Sequence, residues 1–78
     1  MPMEIFVRLV TQTTISLQVE QTDTILSVRQ KIQALVGIPA NQSRLIFAGM
    51  QLKDDRKLQD YNIVNMATLF QLGYLRGR

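Results

Sequence analysis

The sequence predicts an α+β fold, a roll in which one α-helix packs across a mixed β-sheet. Three observations lead there. Two runs near the front alternate apolar and polar residues with the period of a strand. A capped middle segment then changes to the three-and-four spacing of a helix. The second half returns to short strand-like runs broken by turn residues. No repeat, low-complexity segment or linker interrupts the chain, so residues 1–78 read as a single domain.

Met3, Ile5, Val7 and Leu9 fall on one face of the first run, and Glu4, Phe6, Arg8 and Val10 on the other. Thr11-Gln12 makes a turn, after which Thr13, Ile15, Leu17 and Val19 alternate with Thr14, Ser16, Gln18 and Glu20. Adjacent alternating runs with a short break predict a β-hairpin. Thr24 or Asp23 then caps a helix, since a short side-chain oxygen satisfies free N–H groups of the first turn. The helix runs to Val36, with Ile25, Val28 and Ile32 on one stripe. Gly37 ends it and Pro39 forbids continuation. Arg44 to Ala48 form a strand, Ala48-Gly49 a turn and Met50 to Leu52 a short strand. Asp54-Asp55 turn the chain again. Leu58, Tyr61 and Ile63 lie in an irregular or short helical stretch. Thr68 to Leu75 form the last strand.

A chain this short buries only about 60–65% of the surface its unfolded form exposes, so each apolar residue counts. It contains no cysteine and no histidine. Disulfides and thiolate zinc sites are therefore excluded, along with the commonest general base and metal ligand. No catalytic residue, cofactor site or metal site is assigned, and an enzyme is not expected. The net charge of +3 is spread without a block of like charge, and no aromatic residues interleave with the basic ones. That argues against nucleic acid as a partner. The N-terminal stretch lacks the pattern of a signal peptide, and the longest apolar run, Leu45 to Met50, is too short to span a bilayer. The expectation is a monomer of the cytoplasm or nucleus with no membrane partner. The Asn41-Gln42-Ser43 triplet matches the glycosylation acceptor pattern and is read as accidental.

The strings IFV, DTI, KIQ, GIP, RLIFAG, DYNI and LRG occur in the order and spacing of ubiquitin, without gaps from Met3 onward. RLIFAG together with DYNI is hard to obtain by chance. The chain thus resembles the ubiquitin and ubiquitin-like domain family, and the resemblance implies the β-grasp fold. The departures inform function. The family's tail ends in Leu-Arg-Gly-Gly, whose terminal carboxylate is activated for conjugation. Here Leu75, Arg76, Gly77 and Arg78 stand there. Arg78 puts a long cation where close backbone approach requires glycine. The tail reads as a former conjugation handle, and the domain as a non-conjugating type, the N-terminal part of a longer protein.

The resemblance also places chain-linkage lysines at Arg8, Thr13, Arg29, Lys31, Leu35, Met50 and Asn65, of which Lys31 alone is a lysine. Arginine cannot replace the lysine amine as a nucleophile at neutral pH. Drift at exposed sites is the plainer account. Alternation in the last strand puts Leu69, Gln71, Gly73 and Leu75 on one face, where the family has leucine at Gln71 and Gly73. A buried glutamine without partners costs about 1–3 kcal/mol. A bulge, an early strand end or a Gln71 contact with backbone groups is expected. Gln12 and Asp55 stand where the family has turn glycines, each costing up to roughly 1 kcal/mol if φ stays positive.

The other face of that strand carries Phe70, Leu72 and Tyr74. By resemblance it joins Val10 and Ile46 in the family's main receptor site, with Gly49 allowing close approach, Met50 beside it and Arg44 on the rim. A contiguous apolar patch on the open side of a small sheet marks an interaction site. Expected partners are ubiquitin-associated helices, ubiquitin-interacting helices and proteasome subunits. Two rivals stand beside this reading. One is a modifier or engineered ubiquitin variant with an altered tail that binds an enzyme of the ubiquitin pathway. The other is a basic-face binder whose affinity falls steeply with salt. Leu26, Leu35 and Val36 lie off the helix core stripe and are expected at the surface.

Overall fold

Five strands and one helix follow the predicted order in the computed structural model, which describes residues 2–73. Strand β1 (Pro2–Arg8) pairs antiparallel with β2 (Thr14–Glu20). Helix α1 (Ile25–Val36) follows, then β3 (Ser43–Phe47), β4 (Met50–Gln51) and β5 (Thr68–Gly73). The sheet order is β2-β1-β5-β3-β4, with β1 and β5 parallel and the other pairs antiparallel. This is the β-grasp arrangement, in which the chain's first and last strands meet in the middle of the sheet.

Alternation sets which face is buried. Ile5 and Val7 of β1, Leu17 and Val19 of β2, Leu45 of β3 and Leu69 of β5 all point into one cluster. Ile25, Val28 and Ile32 close it from α1, Leu58 from a short 3-10 helix (Leu58–Tyr61), and Leu52 and Ile63 from the loops. The helix begins where the sequence places it. Thr24 Oγ1 accepts the Ser27 N–H at 3.1 Å, while Asp23 accepts the Glu20 N–H at 2.9 Å. Thr24 is therefore the cap, and Asp23 holds the preceding turn. Gly37, at φ +79°, ends the helix and donates to Gln33 O. Leu26 and Leu35 are exposed, whereas Val36 is half-buried against the core, correcting its assignment to the surface.

The turns divide the glycine replacements into two kinds. Gln12 keeps a left-handed φ of +77° despite its Cβ. Asp55 does not: the turn closed by Arg56 N–H to Lys53 O runs through Asp54-Asp55 with negative φ, so no glycine is needed there. Ala48 (φ +54°) and Gly49 (φ +79°) form the tight two-residue connection between β3 and β4. The segment after β4 also clamps the helix start, because Arg56 O and Asp54 O accept the Ile25 and Leu26 N–H groups. Arg29 reinforces this with an ion pair to Asp54 at 2.8 Å.

Tyr74, Leu75, Arg76, Gly77 and Arg78 lie outside the described residues, so the proposed extension of the last strand to Leu75 and the tail reading carry no structural description.

Candidate functional site: the open face of β5

Strand β5 sits between β1 and β3, and its open face is therefore flanked on both sides. The register sets the neighbours. Phe70 is level with Arg8 on β1 and with Ile46 on β3, and Ile46 is opposite Gln51 on β4. One row across the sheet thus reads Arg8, Phe70, Ile46, Gln51. Leu72 faces Arg44 across the β3–β5 pair. Directly opposite residues share a face at close range, so these side chains form one surface.

Phe70, Leu72 and Val10 are 47%, 44% and 42% exposed, far more than the core residues that alternate with them. Val10 reaches this surface from the β1–β2 turn. Together with Arg8, Leu9, Gln12, Phe70, Gln71 and Leu72 it lines a shallow groove of about 190 Å³. That volume is below the several hundred Å³ usual for small-molecule sites. Among the described residues, no group of three His, Cys, Asp or Glu side chains gathers that could hold a metal.

Of the residues singled out from sequence, Val10, Ile46, Phe70, Leu72 and Arg44 come together on this face. Gly49 is exposed in the β3–β4 connection at its edge. Met50 is displaced from the row: it is opposite Phe47, in the alternate phase from Ile46, and is exposed on the edge strand. Arg8, read from the sequence as a linkage position and not as part of this surface, and Gln51, given no role there, terminate the Phe70–Ile46 row. The phase of β1 already placed Arg8 beside Val10, and the two-residue β3–β4 connection fixes Gln51 opposite Ile46. Arg44 Nη1 donates to Gln51 Oε1 at 3.4 Å, and Arg8 Nη2 to Gln12 Oε1 at 3.2 Å. The apolar strip therefore has an arginine and a glutamine on each side.

The core side of β5 resolves the question of Gln71. It is 3% exposed and the strand pairing stays regular around it. Its Nε2 donates to Ser43 Oγ at 3.3 Å, and its Oε1 accepts the Val10 N–H at 3.2 Å. Of the three expected solutions, the contact with a backbone group is the one adopted. Lys31, the lysine kept at a family linkage position, donates to Gln18 O at 2.8 Å and lies 3.9 Å from Asp23.

Comparison with known proteins agrees with the fold. The family model described as "Ubiquitin family" matches residues 5–76. The chain is similar to "AN1-type zinc finger protein 4" of Mus musculus, 43% identical over 75 residues that cover 96% of this chain and 10% of that protein. It is 36% identical to "NEDD8-like protein RUB3" of Arabidopsis thaliana over 75 residues, 96% of each chain. It is 35% identical to "Ubiquitin-like protein NEDD8" of Dictyostelium discoideum over 75 residues, 96% of this chain and 97% of that one. The chain thus spans a small part of the first relative and nearly all of the other two. A β-grasp fold, a family match along most of its length and co-extensive ubiquitin-like relatives together show that this chain belongs to the ubiquitin family.

Proposed function

We propose that the domain acts noncovalently in the ubiquitin pathway, in the cytoplasm or nucleus, by presenting the open face of β5 to ubiquitin receptors. Ubiquitin-associated helices, ubiquitin-interacting helices and proteasome subunits are its partners in this reading. The observation that carries it is the contiguous strip of exposed Val10, Phe70 and Leu72 beside half-buried Ile46, apolar and set between two arginines. Such a strip gives a small apolar centre with a polar rim, and so a modest affinity. Arg78 after Gly77 supports a role independent of conjugation. The similarity to a small part of a long zinc finger protein supports a domain that serves a larger chain.

The test is an NMR shift titration of labelled protein with an unlabelled ubiquitin-associated domain, repeated with a proteasomal receptor fragment. Shifts gathered on Val10, Ile46, Gly49, Phe70 and Leu72 are expected. Saturating receptor that leaves these residues unmoved sinks the reading.

A second reading is a modifier, or an engineered ubiquitin variant with an altered tail, that binds an enzyme of the pathway. The two co-extensive relatives named as NEDD8 or NEDD8-like favour it. It predicts that a protein made to terminate at residue 78 and carrying Arg78→Gly, and so ending in a glycine pair, forms a thioester when incubated with an activating enzyme and ATP. Failure of that variant to form a thioester removes the modifier form of this reading.

A further inference from the structure

We propose that Gln71 is a positioning residue for the open face: its buried amide latches the β1–β2 turn from inside the sheet and presents Val10 in one geometry. Its functional clause rests on the receptor reading above; the latch itself does not.

Ser43 and Gln71 are the buried polar side chains among the described residues, and they bond to each other. Their positions explain how. Leu45 is opposite Gln71 and Ser43 is opposite Gly73, so Ser43 and Gln71 are diagonal neighbours on the core face. The serine hydroxyl takes the amide Nε2, which leaves Oε1 turned toward β1. There the parallel β1–β5 ladder has just ended, at Arg8 and Phe70. The Val10 N–H, beyond the ladder, is captured by the Gln71 side chain instead of by β5 backbone. The amide thus extends the sheet's hydrogen bonding into the turn.

The turn has reason to need such a hold. Its own bonds are Leu9 N–H to Thr13 O and Gln12 N–H to Leu9 O, at 2.8 and 2.9 Å. Between them Gln12 sits at φ +77°, a conformation that a side chain disfavours. Opening the turn relieves Gln12 but carries Val10 away from the groove it shares with Phe70 and Leu72. The latch opposes that opening. A partner then meets a preformed groove and need not order the turn on binding.

The experiment is amide hydrogen exchange by NMR on the full chain, comparing the parent with Gln71→Leu and Ser43→Ala, with the Ile5 and Leu45 amides as internal controls. Gln71→Leu is expected to speed exchange at Val10 about tenfold relative to the controls, whose own rise reports the loss of global stability, and Ser43→Ala to do so less. An unchanged Val10 rate in Gln71→Leu overturns the latch. Should Gln71→Leu speed Val10 and the controls equally, Ser43→Ala decides: a rise at Val10 beyond that of the controls supports the latch, and no such excess overturns it. The same proteins are titrated with the ubiquitin-associated domain, where Gln71→Leu is expected to bind several-fold more weakly. Equal binding despite a loosened turn removes the positioning role. A Val10-specific rise with no binding by the parent leaves the latch standing and defeats the receptor reading.

Discussion

The two faces of β5 depart from expectation in opposite directions. The core face carries an amide, Gln71, between buried Leu69 and small Gly73. The open face carries Phe70 and Leu72, each over two-fifths exposed. A half-buried strand ordinarily puts its polar residues outward and its apolar residues inward. Strand β5 keeps the period of two and inverts part of its chemistry. The two inversions differ in kind. Gln71 is reconciled internally, with both ends of its amide bonded. Phe70 and Leu72 have no covering segment among the described residues. Internal reconciliation is the mark of an architectural feature, and an uncovered apolar strip is the mark of a contact surface.

The comparison breaks most visibly with Leu69→Ala against Phe70→Ala. Leu69 is fully buried in the shared core. Its truncation is expected to destabilise the domain by about 2–5 kcal/mol, a large share of what so small a core provides. Phe70→Ala should leave stability within about 0.5 kcal/mol. It should instead weaken receptor binding about tenfold or more, as truncation of a central aromatic does. Denaturant melts and shift titrations of both variants measure the contrast. A large stability loss in Phe70→Ala would mean that this ring packs as core and that the two faces are not functionally distinct.

A finer test separates the polar pair from its surroundings. Gln71→Leu leaves the Ser43 hydroxyl without its amide, and Ser43→Ala leaves the amide without its hydroxyl. Each single variant is expected to lose about 1 kcal/mol, because a buried group stripped of its partner keeps its desolvation penalty. The double variant removes the Ser43–Gln71 pair together but still leaves the Val10 N–H without its acceptor, so it should lose about 1 kcal/mol as well, giving a coupling of about 1 kcal/mol in a double-mutant cycle. Additive losses would show that the two side chains do not act as a pair.

Much of this was legible in the sequence because it depends on period and on local chemistry. The helix limits follow from Thr24 and Gly37, the core stripe from Ile25, Val28 and Ile32, and the outward phase of Phe70 and Leu72 from alternation alone. What period cannot provide is a partner distant in sequence. The glutamine at 71 signals a problem on the core face, but its solution lies in Ser43 and in the Val10 amide, both brought near only by the sheet register. The same holds for Gln51, whose place beside Ile46 depends on pairing across β3–β4. Met50 shows the converse: neighbouring Gly49 in sequence suggested that it joins the strip, and the register puts it in the other phase. Resemblance flagged Gln12 and Asp55 alike as turn-glycine replacements. The backbone separates them, since only Gln12 keeps a positive φ.

That retained φ supplies the smallest and most diagnostic prediction. Gln12→Gly removes the Cβ that makes φ +77° unfavourable, a penalty of roughly 1–2 kcal/mol for an ordinary residue. Against this stand the extra chain entropy that glycine loses on folding and the exposed bond from Arg8 Nη2 to Gln12 Oε1. The balance is a stabilisation of about 0.5 kcal/mol, read as a raised denaturant midpoint at constant slope. The variant also sharpens the contrast between the faces of β5. With the strain at Gln12 relieved, the turn has less tendency to open, so Gln71→Leu introduced on top should loosen Val10 less than it does in the parent. A Gln12→Gly variant that is destabilised, and more so than the same change made in Arg8→Ala, would show that the Arg8–Gln12 bond outweighs the strain. The turn would then be held from its exposed side, and the buried amide would be secondary.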